Sequence, residues 1–532
     1  SLFNSYLKTP EISLEGITAN TAFLSFSSSW RPEGFDDANA SKFPVGPNGE
    51  AINNQGTAHV VDFVNRLGGI GSTALISLRG STWEQVGVYL DGIPLNSAIG
   101  GGVDLSTLPL GDVERIEVYR GASPIGFGAS ALGGILSITT RAARSTGISA
   151  ELGAGSFNTY SAGVRGSLAT ERVRLYVGVH ALSSQGSFLY TKDGGTAFNP
   201  ESRKETERQN NAVLQLDGVA RATYRVTPGR DLTAEALVFF RDKGLPGFGS
   251  IRQTTESSLR SLRLLGTLIY DSARDLGDES RLRAQVFYAL GRQQLHDPLG
   301  ELSTRRPDTD DRGYTIGSNV RASRPIGSVL LLSAILDGRY EQYSPYDASQ
   351  QPAQGSPSTR LFGGAGLEAD FAWQRLRLHI IPSARIEAAQ DARSGRSSLG
   401  RQLDGAPPVS NVIPSGRLAL LAEPAPFITL RANAARYARL PSMSELFGDT
   451  GFLLGNPDLR PESGWNADAG AQLRLCRGEL SGRAEATFFA SFVDDLIQLQ
   501  QDANGRASAA NLARARILGV EGTLDASLTR FA

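Results

Sequence analysis

The stretch ALISLRGSTWEQVGVYLDGIPLN (74–96), followed by VDLSTLPLGDVERIEVYRGASPIGFGASALGGILSITTR (103–141), decides the fold of this chain. It reads as four short apolar strands, each ending in a glycine-bearing turn. Leu78-Arg79-Gly80 closes the first and Tyr89-Leu90-Asp91-Gly92 the second. Residues 113–118 form the third, followed by Arg120-Gly121. Gly128 to Gly134 lead into the last, 135–140. Asp91-Gly92 is a tight-turn signal that calls for positive φ. Gly133-Gly134 lets a strand kink or approach a neighbouring backbone closely. Each motif alone is common; their order along one stretch is specific.

Working outward, almost 400 residues after this head alternate with period two. In 172–182, Val173, Leu175, Val177, Val179 and Ala181 share one face, with Arg172, Arg174, Tyr176, Gly178 and His180 on the other. In 281–290, Leu282, Ala284, Val286, Tyr288 and Leu290 oppose Arg281, Arg283 and Gln285. That split suits a soluble sandwich with a wet face, or a membrane barrel with a wet lumen. Loop lengths decide between them. Strands are expected near 147–155, 158–168, 171–183, 213–226, 231–242, 258–270, 279–292, 313–324, 327–342, 360–371, 374–387, 413–422, 426–436, 465–475, 479–494 and 513–526. Connections after even-numbered strands are mostly short, as at Thr227-Pro228-Gly229, and those after odd-numbered ones mostly long. Ser156-Phe157 is the exception. Short periplasmic turns and long extracellular loops are the pattern of an outer-membrane barrel.

Composition is compatible with that reading. The 532 residues carry 60 Gly and a formal net charge of -1, without the basic excess of a nucleic-acid binder. No run of 18 apolar residues offers a membrane helix, but spanning strands need only about 9–11 residues with alternate ones facing lipid. A single cysteine, Cys476, excludes an intrachain disulfide, and His59, His180, His296 and His379 lack metal-ligand spacing. No GxSxG, Walker or dinucleotide fingerprint is present, so the chain does not read as an enzyme, and no metal or cofactor is expected.

The ordered head motifs resemble the plug domain of TonB-dependent outer-membrane receptors, of the siderophore- and cobalamin-receptor type. The resemblance implies a mostly β protein: a transmembrane antiparallel β-barrel around a small α+β plug. Residues 58–142 would be the plug and 143–532 the barrel. Plugged transporters have 22 strands, so about sixteen here imply a barrel truncated at its C-terminus. Residues 1–57 do not fit the plug's entry region and are set apart as an unassigned segment, read as foreign or mis-joined. Glu11-Ile12-Ser13-Leu14 is the one candidate there for a TonB box, the short strand TonB would pair with.

By the same resemblance, Arg79 and Arg120 would lock the plug onto the barrel wall through Asp468, in GNPDLRPESGWNADAG (455–470), where a glutamate is usual. Ligand would meet the plug's outward loops, at Thr82, Trp83, Glu84 and Gln85 and again at Asn96 and Ser97. The aromatics Phe188, Tyr190, Tyr343, Tyr346 and Phe447 suit either a large ligand or an interfacial girdle. Asp308, Asp310 and Asp311 read as a solvated acidic loop or a hard-cation site. Gly80, Gly92, Gly121, Gly133 and Gly134 are the turn glycines. The implied function is import of a scarce ligand, such as an iron–siderophore complex or cobalamin, by a monomer in a Gram-negative outer membrane, energised through TonB with ExbB and ExbD. A passive structural or adhesive barrel whose plug never moves is the alternative.

Overall fold

The computed structural model describes residues 76–96, 102–108, 110–120, 124–128, 133–193, 203–246, 254–277, 279–301, 308–348, 357–393, 407–448, 453–477, 480–501, 507–511 and 514–528. Residues 1–57, the start of the plug at 58, and Ser97 and Gly121 lie outside these.

The head folds into a four-stranded sheet built from β1 (Val86–Leu90), β2 (Ile93–Pro94), β3 (Val113–Arg120) and β4 (Gly134–Thr140), in the order β2-β1-β4-β3. β1 runs parallel to the central β4, and β3 antiparallel to it. The β1–β2 turn places Asp91 at φ 49 and Gly92 at φ 87, the left-handed pair expected of Asp-Gly. Two expectations change. Residues 76–78 are not a strand among the described residues: the chain bends there, with Arg79 at φ 51 and Gly80 at φ 74, and Ile93–Pro94 supplies the fourth strand instead. The described head also contains three 3-10 turns (Trp83–Gln85, Leu105–Thr107, Leu110–Asp112) and no α-helix.

The remainder forms one sheet of 16 strands in chain order, each antiparallel to the next. They are β5 (Gly147–Gly155), β6 (Thr159–Ala169), β7 (Val173–Ser184), β10 (Val213–Thr227), β11 (Arg230–Gly244), β12 (Ser258–Ser272), β13 (Arg281–His296), β14 (Asp308–Ile326), β15 (Leu330–Ser344), β16 (Ser358–Trp373), β17 (Leu378–Arg393), β18 (Val409–Ala425), β19 (Ile428–Arg439), β21 (Glu462–Arg477), β22 (Leu480–Asp494) and β25 (Arg514–Leu528). β5 and β25 are the sheet's edges, unpaired with one another among the described residues.

All sixteen expected strands are present. Several run longer than expected at the long-loop end: β13 continues to His296 and β14 begins at Asp308, because the polar residues there remain paired across the ladder. The long loops carry elements of their own. These are the hairpin β8 (Leu189–Asp193) and β9 (Arg203–Glu207), the small sheet of β20 (Leu453–Leu454), β23 (Ile497–Gln501) and β24 (Ala507–Asn511), and one helical turn, α1 (Met443–Phe447).

The two faces differ as the alternation requires. On β7, Leu175, Val177 and Val179 are exposed on the outer face, while Tyr176 and His180 point inward to the head. The same split puts Leu336, Leu361, Leu367, Ile386, Val520 and Leu524 on the outside. An apolar outer band with a polar interior is the lipid-facing arrangement of a membrane barrel. Leu336, 61% exposed near the middle of β15, tests it. Leu336→Arg should destabilise the protein folded in lipid vesicles by about 2–4 kcal/mol, read from urea unfolding. The inward-facing Ser333→Arg, on the parity of buried Ile335 and lining the interior, should cost clearly less, and equal losses would contradict the assignment of faces.

Candidate functional site: the plug–wall interface and the loop above it

The bend at Arg79-Gly80 aims a guanidinium out of the head and at the last strand. Arg79 donates from Nε to Glu521 Oε1 at 3.1 Å and from Nη2 to Oε2 at 2.9 Å, a bidentate pair. Arg120, at the end of β3, donates to the same carboxylate at 3.2 Å. Phe489 covers the Arg79 guanidinium, 4.5 Å from ring centre to Cζ. Asp468 is the more distant partner: its Oδ2 lies 3.8 Å from Arg79 Nη1, and its Oδ1 accepts a bond from Asn433 at 3.0 Å. An aspartate is one methylene too short to reach the arginine from this strand. Glu521, absent from the sequence-based assignment, takes the primary position. A signal for it was available, since it is one of two acids, with Asp525, on the inward face of a strand whose outward face carries Leu518, Val520 and Leu524. The glycine Gly133 lies against Ser81, where a Cβ would collide, and Gly134, at φ 131, backs onto Tyr119.

A second polar cluster ties the head to a long loop. Gln85 donates to Glu462 Oε2 at 3.0 Å. Glu462 also takes two bonds from Arg439, at 2.8 and 3.1 Å, and one from the backbone amide of Ile497 at 2.7 Å. Arg439 completes a second bidentate pair with Glu445 of α1, at 3.0 Å for both bonds. Glu445 caps its own helical turn by accepting from the amide of Ser442 at 2.7 Å. Met443, Leu446 and Phe447 of α1 bury themselves with Tyr343, Leu459, Ile497 and Ala509. Tyr343 and Phe447 are therefore core residues rather than ligand or girdle aromatics. Burial opposes ionisation of Glu445, but Arg439 and the Ser442 bonds outweigh it and hold its carboxyl below the usual carboxylate range.

The expected ligand loops divide by this geometry. Thr82 is exposed, and Trp83 and Glu84 are half-buried. Trp83 packs over Gly102, where any Cβ would strike its ring, and burial pushes the Glu84 carboxyl up. Gln85 is buried, with its amide oxygen accepting from Thr82 N and its nitrogen committed to Glu462, so it faces the wall and not a ligand. Asn96 likewise bonds the β1 backbone, accepting from Val88 N at 2.6 Å and donating to Val86 O at 2.8 Å. Phe157, Phe188 and Tyr190 form an aromatic row, and Tyr346 is exposed. Asp310 is taken by Arg292 and Arg312, and Asp308 lies 3.1 Å from His296. No group of three or more metal-ligating side chains assembles among the described residues.

The head meets the wall unequally around its circumference. On one side its apolar core, including Val86, Leu90, Leu105 and Leu136, is continuous with Val219, Leu237, Phe239 and Leu265 of β10–β12. Polar bonds reinforce that side: Asp104 and Ser106 with Arg241, Thr140 with Glu235, and Tyr176 donating to the fully buried Asp112 at 2.6 Å. Cavities lie on both sides of the head. One of about 610 Å³ lies towards β5–β7, β10 and β11. One of about 640 Å³ lies towards β13–β17, lined by Tyr89, Phe127, Gln285, Arg339, Glu368 and Arg385 among others and bridged by Gln285 donating to the Asp91 carbonyl at 3.2 Å. Tyr89 and Phe127 meet edge to face there, with ring centres 4.8 Å apart.

Comparison with known proteins places this arrangement. Residues 47–135 match the family model described as TonB-dependent Receptor Plug Domain, and residues 205–532 the one described as TonB dependent receptor-like, beta-barrel. The first match begins inside the segment set apart as 1–57. Among solved structures, the hemophore receptor HasR of Serratia marcescens aligns with TM-score 0.65 and 14% identity over 87% of this chain and 75% of its own. The copper transporter OprC gives 0.69 and 16% over 85% and 70%. The siderophore receptor PirA of Pseudomonas aeruginosa gives 0.58 and 17% over 84% and 75%.

Two outcomes test the site. Glu521→Gln should loosen the plug far more than Asp468→Asn, because it strands two arginines. Removing one partner of a buried pair costs about 3–5 kcal/mol. Entry of a large antibiotic through the outer membrane reads this, and equal sensitivity of the two variants would refute the ranking. Glu445 has a depressed folded-state pKa, so its stabilisation is full above its unfolded value of about 4.3 and is lost as pH falls through the folded value. Hydrogen exchange in 440–448 should therefore accelerate below about pH 4, and Glu445→Gln should flatten that dependence.

Proposed function

Because the chain belongs to the TonB-dependent receptor family, we propose that it is an outer-membrane receptor importing a scarce ligand too large for porins. The ligand would be an iron–siderophore complex, cobalamin or a related metal chelate, in a Gram-negative bacterium. Such a ligand binds from outside, the plug bars the lumen, and work delivered by TonB with ExbB and ExbD moves the plug. The observation that carries this reading is the Gln85–Glu462–Arg439–Glu445 chain. It gives an extracellular loop and a plug loop one shared set of charge-assisted bonds, so a ligand that shifts the loop changes what holds the plug. A ligand drives such a change only through its differential affinity for the two states. That structural neighbours include a hemophore receptor in complex with heme, a copper transporter and a siderophore receptor supports a metal-containing ligand.

Domain limits follow from the same reading: a plug ending near 142, and a barrel from 143 onward whose sixteen strands enclose it. Arg79, Arg120, Glu521 and Asp468 would be the lock, and Thr82, Trp83 and Glu84 the plug surface open to ligand.

The test is uptake of radiolabelled iron–siderophores and of labelled cobalamin by cells carrying the full-length gene, with and without TonB. Uptake should require TonB. Glu462→Gln should lower uptake several-fold while ligand still binds the cell surface. Equal uptake in cells lacking TonB would instead favour the passive barrel.

A further inference from the structure

One buried cation of the interior has no counter-charge. Lys243 sits at the long-loop end of β11 and is 8% exposed, and among the described residues no hydrogen bond or ion pair reaches its ammonium. The other buried cations are partnered: Arg241 by Asp104, Arg360 by Asp391, Arg385 by Asp337 and Glu387, and Arg439 by Glu445 and Glu462, while Arg208 lies over the Tyr190 ring. An ammonium withdrawn from water without an anion carries a desolvation cost that nothing around it offsets.

The register surrounds it with charge of the same sign. Lys243 and Arg241 stand two residues apart on the inward face of β11, about 7 Å along the strand. Arg263 of β12 is opposite Phe239, and so diagonally beside Arg241. Its Nη1 is buried without a hydrogen-bond partner. Asp104 of the head is the one carboxylate close enough to act on Lys243 or Arg263, and Arg241 already holds it at 3.2 Å. Three cations therefore share one carboxylate, which leaves +2 on this part of the wall.

This charge borders a space. Lys243 and Arg241 line the cavity of about 610 Å³ towards β5–β7, β10 and β11, beside Asn211 and Gln215. Phe157 and Phe188, with ring centres 5.7 Å apart, line it towards the long loops. Deeper in the same cavity the charges are matched. Arg165 faces Asp112 and Glu151, both at 3.4 Å, and Asp217 faces His180 at 3.2 Å. The unmatched positive charge is thus confined to the long-loop end, from which a ligand arrives.

We propose that this end of the cavity binds the anionic oxygens of a net-negative metal chelate. The Lys243 ammonium is the direct contact, Arg241 and Arg263 supply the surrounding positive potential, and the two phenyl rings lie against the organic part of the chelate. The assignment rests on the receptor reading above and narrows it. Among iron–siderophore complexes it selects those bearing carboxylate or catecholate oxygens over neutral hydroxamate ones, and it disfavours cobalamin. A neutral ligand would leave the ammonium desolvated and still unpaired, so the site discriminates by penalty as well as by attraction.

The full-length protein is reconstituted in nanodiscs of phosphatidylcholine. Calorimetric titration then compares ferric citrate, a ferric tris-catecholate, a neutral ferric tris-hydroxamate of similar size, cobalamin and inorganic phosphate. One of the two anionic chelates should bind about tenfold or more tighter than the hydroxamate, cobalamin or phosphate, the worth of one charge-assisted hydrogen bond. Lys243→Gln should abolish that advantage and Lys243→Arg should keep most of it. Without ligand, Lys243→Gln should melt no lower than the unmodified protein, because an unpaired buried charge has been removed. Equal affinity for the hydroxamate, tightest binding by phosphate, an advantage that survives in Lys243→Gln, or a lower melting temperature for that variant would each overturn the assignment. A protein that binds none of the chelates, in cells that import none, fails the receptor reading as well. TonB-dependent import of cobalamin or of the hydroxamate, with no preference for anions, leaves that reading intact and removes this one alone.

Discussion

A backbone crossing hydrocarbon has no water to bond, so every N–H and C=O in the band must find a partner in the neighbouring strand. That requirement drives the long antiparallel ladder, and the ladder forces the alternation of faces. With valine and leucine turned to lipid, the interior receives every second residue, and most of these are polar. Charges there cannot stay bare. Arg385 is bound by Asp337 and Glu387, and Arg360 by Asp391 and the Pro441 carbonyl. A domain placed inside such a wall must join the same network. The head does so through Arg79, Gln85, Asp91, Asp104, Asp112 and Thr140, each bonded to an inward side chain of the barrel.

Period-two alternation made the wall legible. It is an intrinsic property of a strand with one apolar face, and it located all sixteen strands to within a few residues. It was weakest at the long-loop ends, where both faces are polar and alternation fades even though pairing continues, as in residues 308–312 of β14. The small elements of the loops were invisible for a related reason. α1 is five residues long and exists because Met443, Leu446 and Phe447 find distant partners such as Tyr343 and Ile497, which no local pattern announces.

The site was legible in its parts and not in its pairings. Arg79 stood out because it precedes a glycine at a strand-like end, and the bend there is what aims it. Its choice of Glu521 over Asp468 depends on reach, a difference of one methylene between two residues 53 positions apart in sequence. Gln85 and Asn96 looked available because they are polar and near loops. Their hydrogen bonds show that both are committed, one to the wall and one to its own sheet.

The head's unequal seating has a mechanical consequence. Apolar surface shared with β10–β12 costs free energy to expose, whereas hydrogen bonds to β13, β14, β21 and β25 can be exchanged for water at small net cost. A pull on the head therefore meets its stiffest resistance where that apolar surface is shared, and less where the contacts are polar. The domain is hung like a door. Its hinge side is greased shut by Leu237, Phe239 and Leu265, and its free edge faces the gap beside Tyr89 and Phe127.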